Sequence, residues 1–167
     1  MQKPGTFSAR RITEGAVIAA LYVTLTWLSS LFGLSSGVIQ FRISEMLCIL
    51  PCFTPAAIPG LAVGCLLSNL LTGSLPWDIV IGSAATLLGA VLCRLTRKFG
   101  GPWAPVPNIL ANSLIVPLVL MYVYGEAGSY FFFLATVFVG EFVCGGIGGY
   151  LLYRVADRYR GRLFGNT

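Results

Sequence analysis

Nearly every positive charge in this 167-residue chain sits in one of three short clusters, and the stretches between them are apolar and almost uncharged. Lys3, Arg10 and Arg11 precede the first apolar run, Arg94, Arg97 and Lys98 divide the chain, and Arg154, Arg158, Arg160 and Arg162 follow the last run. Charged residues make up 10% of the chain and hydrophobic ones 56%. Soluble domains carry roughly 25% charged residues, so this composition belongs to a polytopic membrane protein. Retained basic clusters mark cytoplasmic ends, so all three are expected on one side with an even number of crossings between each pair. A crossing helix needs about 20 apolar residues, which leaves room for six and for no second domain. We therefore expect an all-α fold, a single integral membrane domain over residues 1–167, and both termini in the cytoplasm. The first apolar run is about 20 residues long and lacks a small-residue cleavage site, so it is expected to be a retained helix.

Local signals place the six helices. The first is expected at 12–32, with Thr13 and Glu14 at its start, and Gly33, Ser35, Ser36 and Gly37 forming an outer loop. Pro51, Pro55 and Pro59 remove backbone donors, so the second helix, 41–51, is short and the third runs 59–71, closed by Thr72, Gly73 and Ser74. Pro76 opens the fourth at 76–95, since proline is tolerated in a first helical turn. Pro102, Pro105 and Pro107 stiffen the connection to the fifth, 108–124, and the sixth covers 130–153.

Arg42 is the one basic residue outside the clusters, and Glu45 follows it by three positions. Ionisable groups at membrane depth are costly and by default mark a ligand or ion pathway. The expected topology carries Arg42, Glu45, Asn69, Trp77 and Asp78 to the outer side, where a cation, carboxylates, an amide and an indole would converge. Glu141 falls mid-helix and needs a partner or a proton. Such groups suit a flat, donor-rich molecule, because a carboxylate accepts paired N–H bonds and an aromatic ring stacks. Simpler readings stand beside this one. Arg42 and Glu45 can neutralise each other at i, i+3, Asp78 can be a first-turn acid, and Glu141 can hydrogen-bond a neighbouring helix. Asn108 and Asn112 read as interhelical glue, and Tyr130 to Phe133 as an interface anchor.

Other chemistry is not expected. The chain has no histidine, and Cys48, Cys52, Cys65, Cys93 and Cys144 lie in apolar surroundings, where cysteine behaves as a small hydrophobe. Neither a metal site nor a catalytic constellation is expected, and no cofactor in this chain. The phosphate-binding pattern Gly-x-x-x-x-Gly-Lys-Ser/Thr is absent, so any ATP hydrolysis belongs to partners. Ala16 and Ala20 share one helix face, as do Gly145 and Gly149, and small residues four apart permit close helix approach.

The segments Gln40-Phe41-Arg42-Ile43-Ser44-Glu45, Ile58-Pro59-Gly60-Leu61, Ser68-Asn69-Leu70 and Pro76-Trp77-Asp78-Ile79 resemble the QueT family, the substrate-binding S components of energy-coupling factor (ECF) transporters. The resemblance implies a six-helix S-component fold and uptake of a queuosine precursor, queuine or another 7-deazaguanine. It also implies a plasma-membrane location, a coupling transmembrane subunit that docks on an Ala-x-x-x-Ala face matched by Ala16 and Ala20, and two partner ATPases. No nucleic-acid partner is expected. An autonomous ion-coupled carrier with Glu141 as a proton relay, or an S component for a different vitamin, is the alternative.

Overall fold

The computed structural model describes residues 9–34 and 40–164, so Lys3 and the expected loop residues Ser35, Ser36 and Gly37 lie outside the described residues. The described residues form helices and their connections, without a strand. Helix α1 (Ala9–Leu31) is followed by a 3₁₀ helix, Ile43–Cys52, then by α2 (Ala57–Leu71), α3 (Pro76–Leu95) and α4 (Val106–Tyr122). Helix α5 (Tyr130–Glu141) continues through a π-helical stretch, Phe142–Gly148, into α6 (Gly149–Arg158), and a short α7 (Arg160–Leu163) closes the fold.

Two helix ends show how local sequence terminates each pass. Gly33 at φ +66° lets its own amide reach the Ser30 carbonyl and the Leu34 amide reach that of Ser29. Gly73 at φ +76° does the same for Leu70 and, through Ser74, for Asn69. A residue with a side chain rarely adopts this conformation, so glycine closes such helices.

The segment expected as a short second helix is helical but wound as 3₁₀ over ten residues, with Pro51 inside it. At about 2.0 Å rise per residue it reaches roughly 20 Å, where an α-helix of that length reaches about 15 Å. Its last carbonyls are held by Arg94, whose Nη1 donates to the Pro51 oxygen at 3.0 Å and the Cys52 oxygen at 3.3 Å. Around it sits the main core, including Ile18, Tyr22, Leu47, Ile49, Phe53, Leu61 and Cys65.

Glycines permit the tightest contacts. A Cβ on Gly60 would lie 2.6 Å from the Gly15 carbonyl oxygen, and one on Gly64 would lie 2.8 Å from the Tyr22 Cβ. The α1 face that packs on α2 is therefore Gly15 and Ala19, while Ala16 and Ala20 point outward and are exposed. Gly145 and Gly149 face the 3₁₀ helix, where a Cβ on Gly149 would meet the Ile49 side chain at 3.2 Å.

Among the described residues four helical segments are long and apolar enough to cross a membrane: Ala9–Leu31, Pro76–Leu95, Gly101–Tyr122 and Tyr130–Arg158. The expectation of six such helices is thus met in part, because prolines and Gly73 hold Ile43–Cys52 and Ala57–Leu71 below that length. Described members of the three basic clusters, Arg10, Arg94 and Arg160, lie at one end of the bundle. There Thr54 donates to Glu14 at 2.8 Å, Arg94 caps the 3₁₀ helix, and Phe53 lies 5.0 Å from Tyr153 with the Arg160 guanidinium 5.9 Å away.

Candidate functional site

At the end opposite the basic clusters a cavity of about 380 Å³ opens between α1, α2, α3 and α4, lined by Gln40, Arg42, Ser74, Asp78, Tyr124 and Glu126 among others. Below it lies a second space of about 20 Å³, reached past Gln40, Arg42 and Asp78, which line both. Glu45, Thr86, Asn112 and Glu141 line this inner space.

Two carboxylates from distant parts of the chain are tied together there by a pair of amides. The Asn108 side-chain nitrogen donates to Glu45 Oε2 at 2.9 Å and Glu141 Oε2 at 3.4 Å. The Asn112 nitrogen donates to Glu45 Oε2 at 3.3 Å and Glu141 Oε1 at 3.1 Å. The Tyr22 hydroxyl donates to Glu45 Oε1, and the Cys48 thiol donates to Oε2 at 3.3 Å. Local structure explains the placement. Glu45 stands in the first turn of the 3₁₀ helix, Asn108 and Asn112 share one face of α4, and Glu141 ends α5 where the π-helical stretch begins. Wide π turns inside helices recur at functional sites.

Arg42 does not pair with Glu45. Among the described residues the one ion pair within 4.0 Å joins Arg10 to Glu14 at 2.9 Å. Arg42 Nη1 donates instead to the Asn69 side-chain oxygen at 3.1 Å, and its Nε is buried without a partner. Nearer the mouth, the Tyr124 hydroxyl donates to Asp78 Oδ2 at 2.8 Å. Partial burial first, and the bond to Asp78 second, hold the Tyr124 phenol above its ordinary pKa.

Residues 12–158 match the family described as QueT transporter. This chain belongs to the QueT transporter family. The queuosine precursor transporter QueT of Lactococcus lactis subsp. cremoris (strain MG1363) is 40% identical over 89 residues, 53% of this chain and 50% of that protein. The chain thus aligns with about half the length of that curated relative. No solved structure gives a significant match. The resemblance carried by the segments around Arg42, Asn69 and Trp77 is accordingly a true family relationship, and the QueT family is one of transporters rather than enzymes.

Of the residues expected at the QueT site, the structure gathers Arg42, Glu45, Asp78 and Glu141 around the two adjoining cavities, and Asn69, which lines neither, accepts from Arg42 behind them. Trp77 stands apart from both the cavities and the residues that line them. It is 67% exposed and lines neither cavity. Consecutive helical residues point about 100° apart, so the turn that buries Asp78 directs its neighbour outward. The aromatic ring at the cavity is that of Tyr124. Asn108 and Asn112 were legible as an i, i+4 pair, and they do join helices, but through the carboxylates of the site. Tyr22 and Tyr124 carried no signal in the sequence, because each acts on a residue more than twenty positions away. The cysteines do not form one group: Cys48 meets Glu45, whereas the Cys52 and Cys93 sulfurs lie 3.4 Å apart at the basic end.

Proposed function

We propose that this chain is the membrane S component of an ECF-type importer that takes up a queuosine precursor, queuine or another 7-deazaguanine. The observation that carries this reading is the polar cavity at the end remote from the basic clusters, floored by Glu45 and Glu141 and walled by Arg42 and Asp78. Its volume of about 380 Å³ lies within the roughly 300–1,000 Å³ typical of small-molecule sites. A deazaguanine offers adjacent N–H donors to Asp78, Glu45 or Glu141, a carbonyl to Arg42 or Asn69, and a flat face to Tyr124. The buried, unpartnered Nε of Arg42 gives that carbonyl a ready donor.

In this reading the chain crosses the plasma membrane six times. The two short passes are carried within the bundle, and the basic end and both termini face the cytoplasm. The exposed Ala16 and Ala20 form the docking face for the coupling subunit, and two partner ATPases supply the energy. The experiment is a calorimetric panel of queuine, its aminomethyl and cyano precursors, guanine and several vitamins against the purified protein. Micromolar or tighter binding of a deazaguanine is expected, with loss of binding in Arg42→Ala and Glu45→Ala; no binding of any deazaguanine refutes the reading. The paired carboxylates also suit an autonomous ion-coupled carrier. Uptake by liposomes holding this chain alone, without ATPases, would select that alternative.

A further inference from the structure

Two thiols meet at the basic end of the bundle. Cys52 closes the 3₁₀ helix and Cys93 stands in the last turn of α3, 41 residues further along the chain, yet their sulfurs lie 3.4 Å apart. Either thiol can donate to the other at that distance. Cys93 is fully buried, while Cys52 is 7% exposed. Cys48 and Cys65 are placed differently, because the first donates to Glu45 and the second accepts from the Thr86 hydroxyl.

The same turn of α3 grips the backbone that carries Cys52. Arg94, which follows Cys93, donates from Nη1 to the Pro51 carbonyl at 3.0 Å and to the Cys52 carbonyl at 3.3 Å. The two sulfurs are thus held as neighbours by a contact other than their own. A disulfide requires sulfurs about 2.05 Å apart, so the pair must close by about 1.4 Å. Cys52 is the last residue of its helix, where the chain turns through Phe53, so small side-chain rotations can supply that shift. Positive charge gathers at the same place, with Arg94 on the carbonyls and the Arg160 guanidinium 5.9 Å from the Phe53 ring. Electropositive surroundings with some access are where cysteines react.

We propose that Cys52 and Cys93 form a reversible disulfide site, oxidised by hydrogen peroxide, that fastens the end of the 3₁₀ helix to α3. Cys52, the thiol with residual exposure, attacks one peroxide oxygen; the O–O bond breaks, and the leaving hydroxide takes up the thiol proton as water. The Cys93 sulfur then attacks the resulting Cys52 sulfenic acid. The S–S bond forms, the S–O bond breaks, and the departing hydroxide carries off the Cys93 proton as a second water. Two thiols lose two electrons and one peroxide gains them. At an end read as cytoplasmic the bond is transient, because cellular thiols return it to the reduced pair by exchange. This inference does not depend on the identity of the cargo.

The test uses the full chain in detergent, reduced and then treated with hydrogen peroxide. After denaturation and blocking of the remaining thiols, a digest made without reductant is read by mass spectrometry. Peptides joined through Cys52 and Cys93 are expected, and dithiothreitol should separate them. A cross-link restricts the unfolded chain, so the oxidised protein should also melt at a higher temperature, and dithiothreitol should reverse the shift. Cys93→Ala should leave a sulfenic acid on Cys52 that dimedone traps, and Cys52→Ala should remove both the link and the shift. Recovery of both residues as blocked thiols, a bond joining other cysteines, or sulfinic acid on Cys52 of the unaltered chain overturns the proposal. A link without a melting shift overturns the fastening role. The link is read in the unaltered chain, so the result stands even if a variant fails to fold.

Discussion

Glu45 shows how much one side chain can organise: it accepts from Tyr22 on α1, Cys48 on its own helix and both asparagines of α4. Tyr22 is fully buried, so Tyr22→Phe should leave Glu45 Oε1 without its donor. An unsatisfied buried acceptor costs about 1–3 kcal/mol, which would lower the melting temperature in detergent and weaken ligand binding together. Trp77→Ala should behave differently, because the indole is 67% exposed and outside the cavity. Binding of a deazaguanine should change by less than about twofold, in line with the small effects of surface substitutions. A large loss in that variant would place the indole against the ligand after all.

At the scale of elements, two contacts set where the 3₁₀ helix lies, and with it Arg42 and Glu45. At its far end Arg94 holds the carbonyls of Pro51 and Cys52. Arg94→Ala should destabilise the fold by about 1.5–3 kcal/mol, the range for hydrogen bonds to charged groups, as read by thermal unfolding. At its near end the chain passes over α5 at Gly140, where an added Cβ would collide with the Gln40 carbonyl oxygen. Gly140→Ala should therefore displace Gln40 and Arg42 and weaken binding by about tenfold or more, since small misplacements of binding groups carry such costs. Unchanged affinity in that variant would show that the crossing adapts without moving Arg42.

The whole molecule separates its charges. Arg94 and Arg160 crowd around residues 51–54 at one end, together with the Glu14 that pairs with Arg10, and the cavity with Asp78 and Glu126 opens at the other. In intact cells an impermeant thiol reagent should label a cysteine placed at Glu126 and leave one placed at Lys98 unlabelled. The reverse pattern would invert the proposed orientation. By itself the sequence pointed to the membrane class and to an all-helical chain. Hydropathy, proline and glycine act locally, and the cost of charge in hydrocarbon needs no tertiary contact to be felt. It also marked Arg42, Glu45, Asn69, Asp78 and Glu141, since polar groups are conspicuous in an apolar chain. Only the tertiary structure decided that Arg42 pairs with Asn69 rather than Glu45, that Trp77 faces outward, and that Asn108 and Asn112 join Glu45 to Glu141. Those outcomes depend on the rotation of each helix about its axis and on the 3₁₀ and π windings, which packing against neighbours sets and residue spacing alone does not.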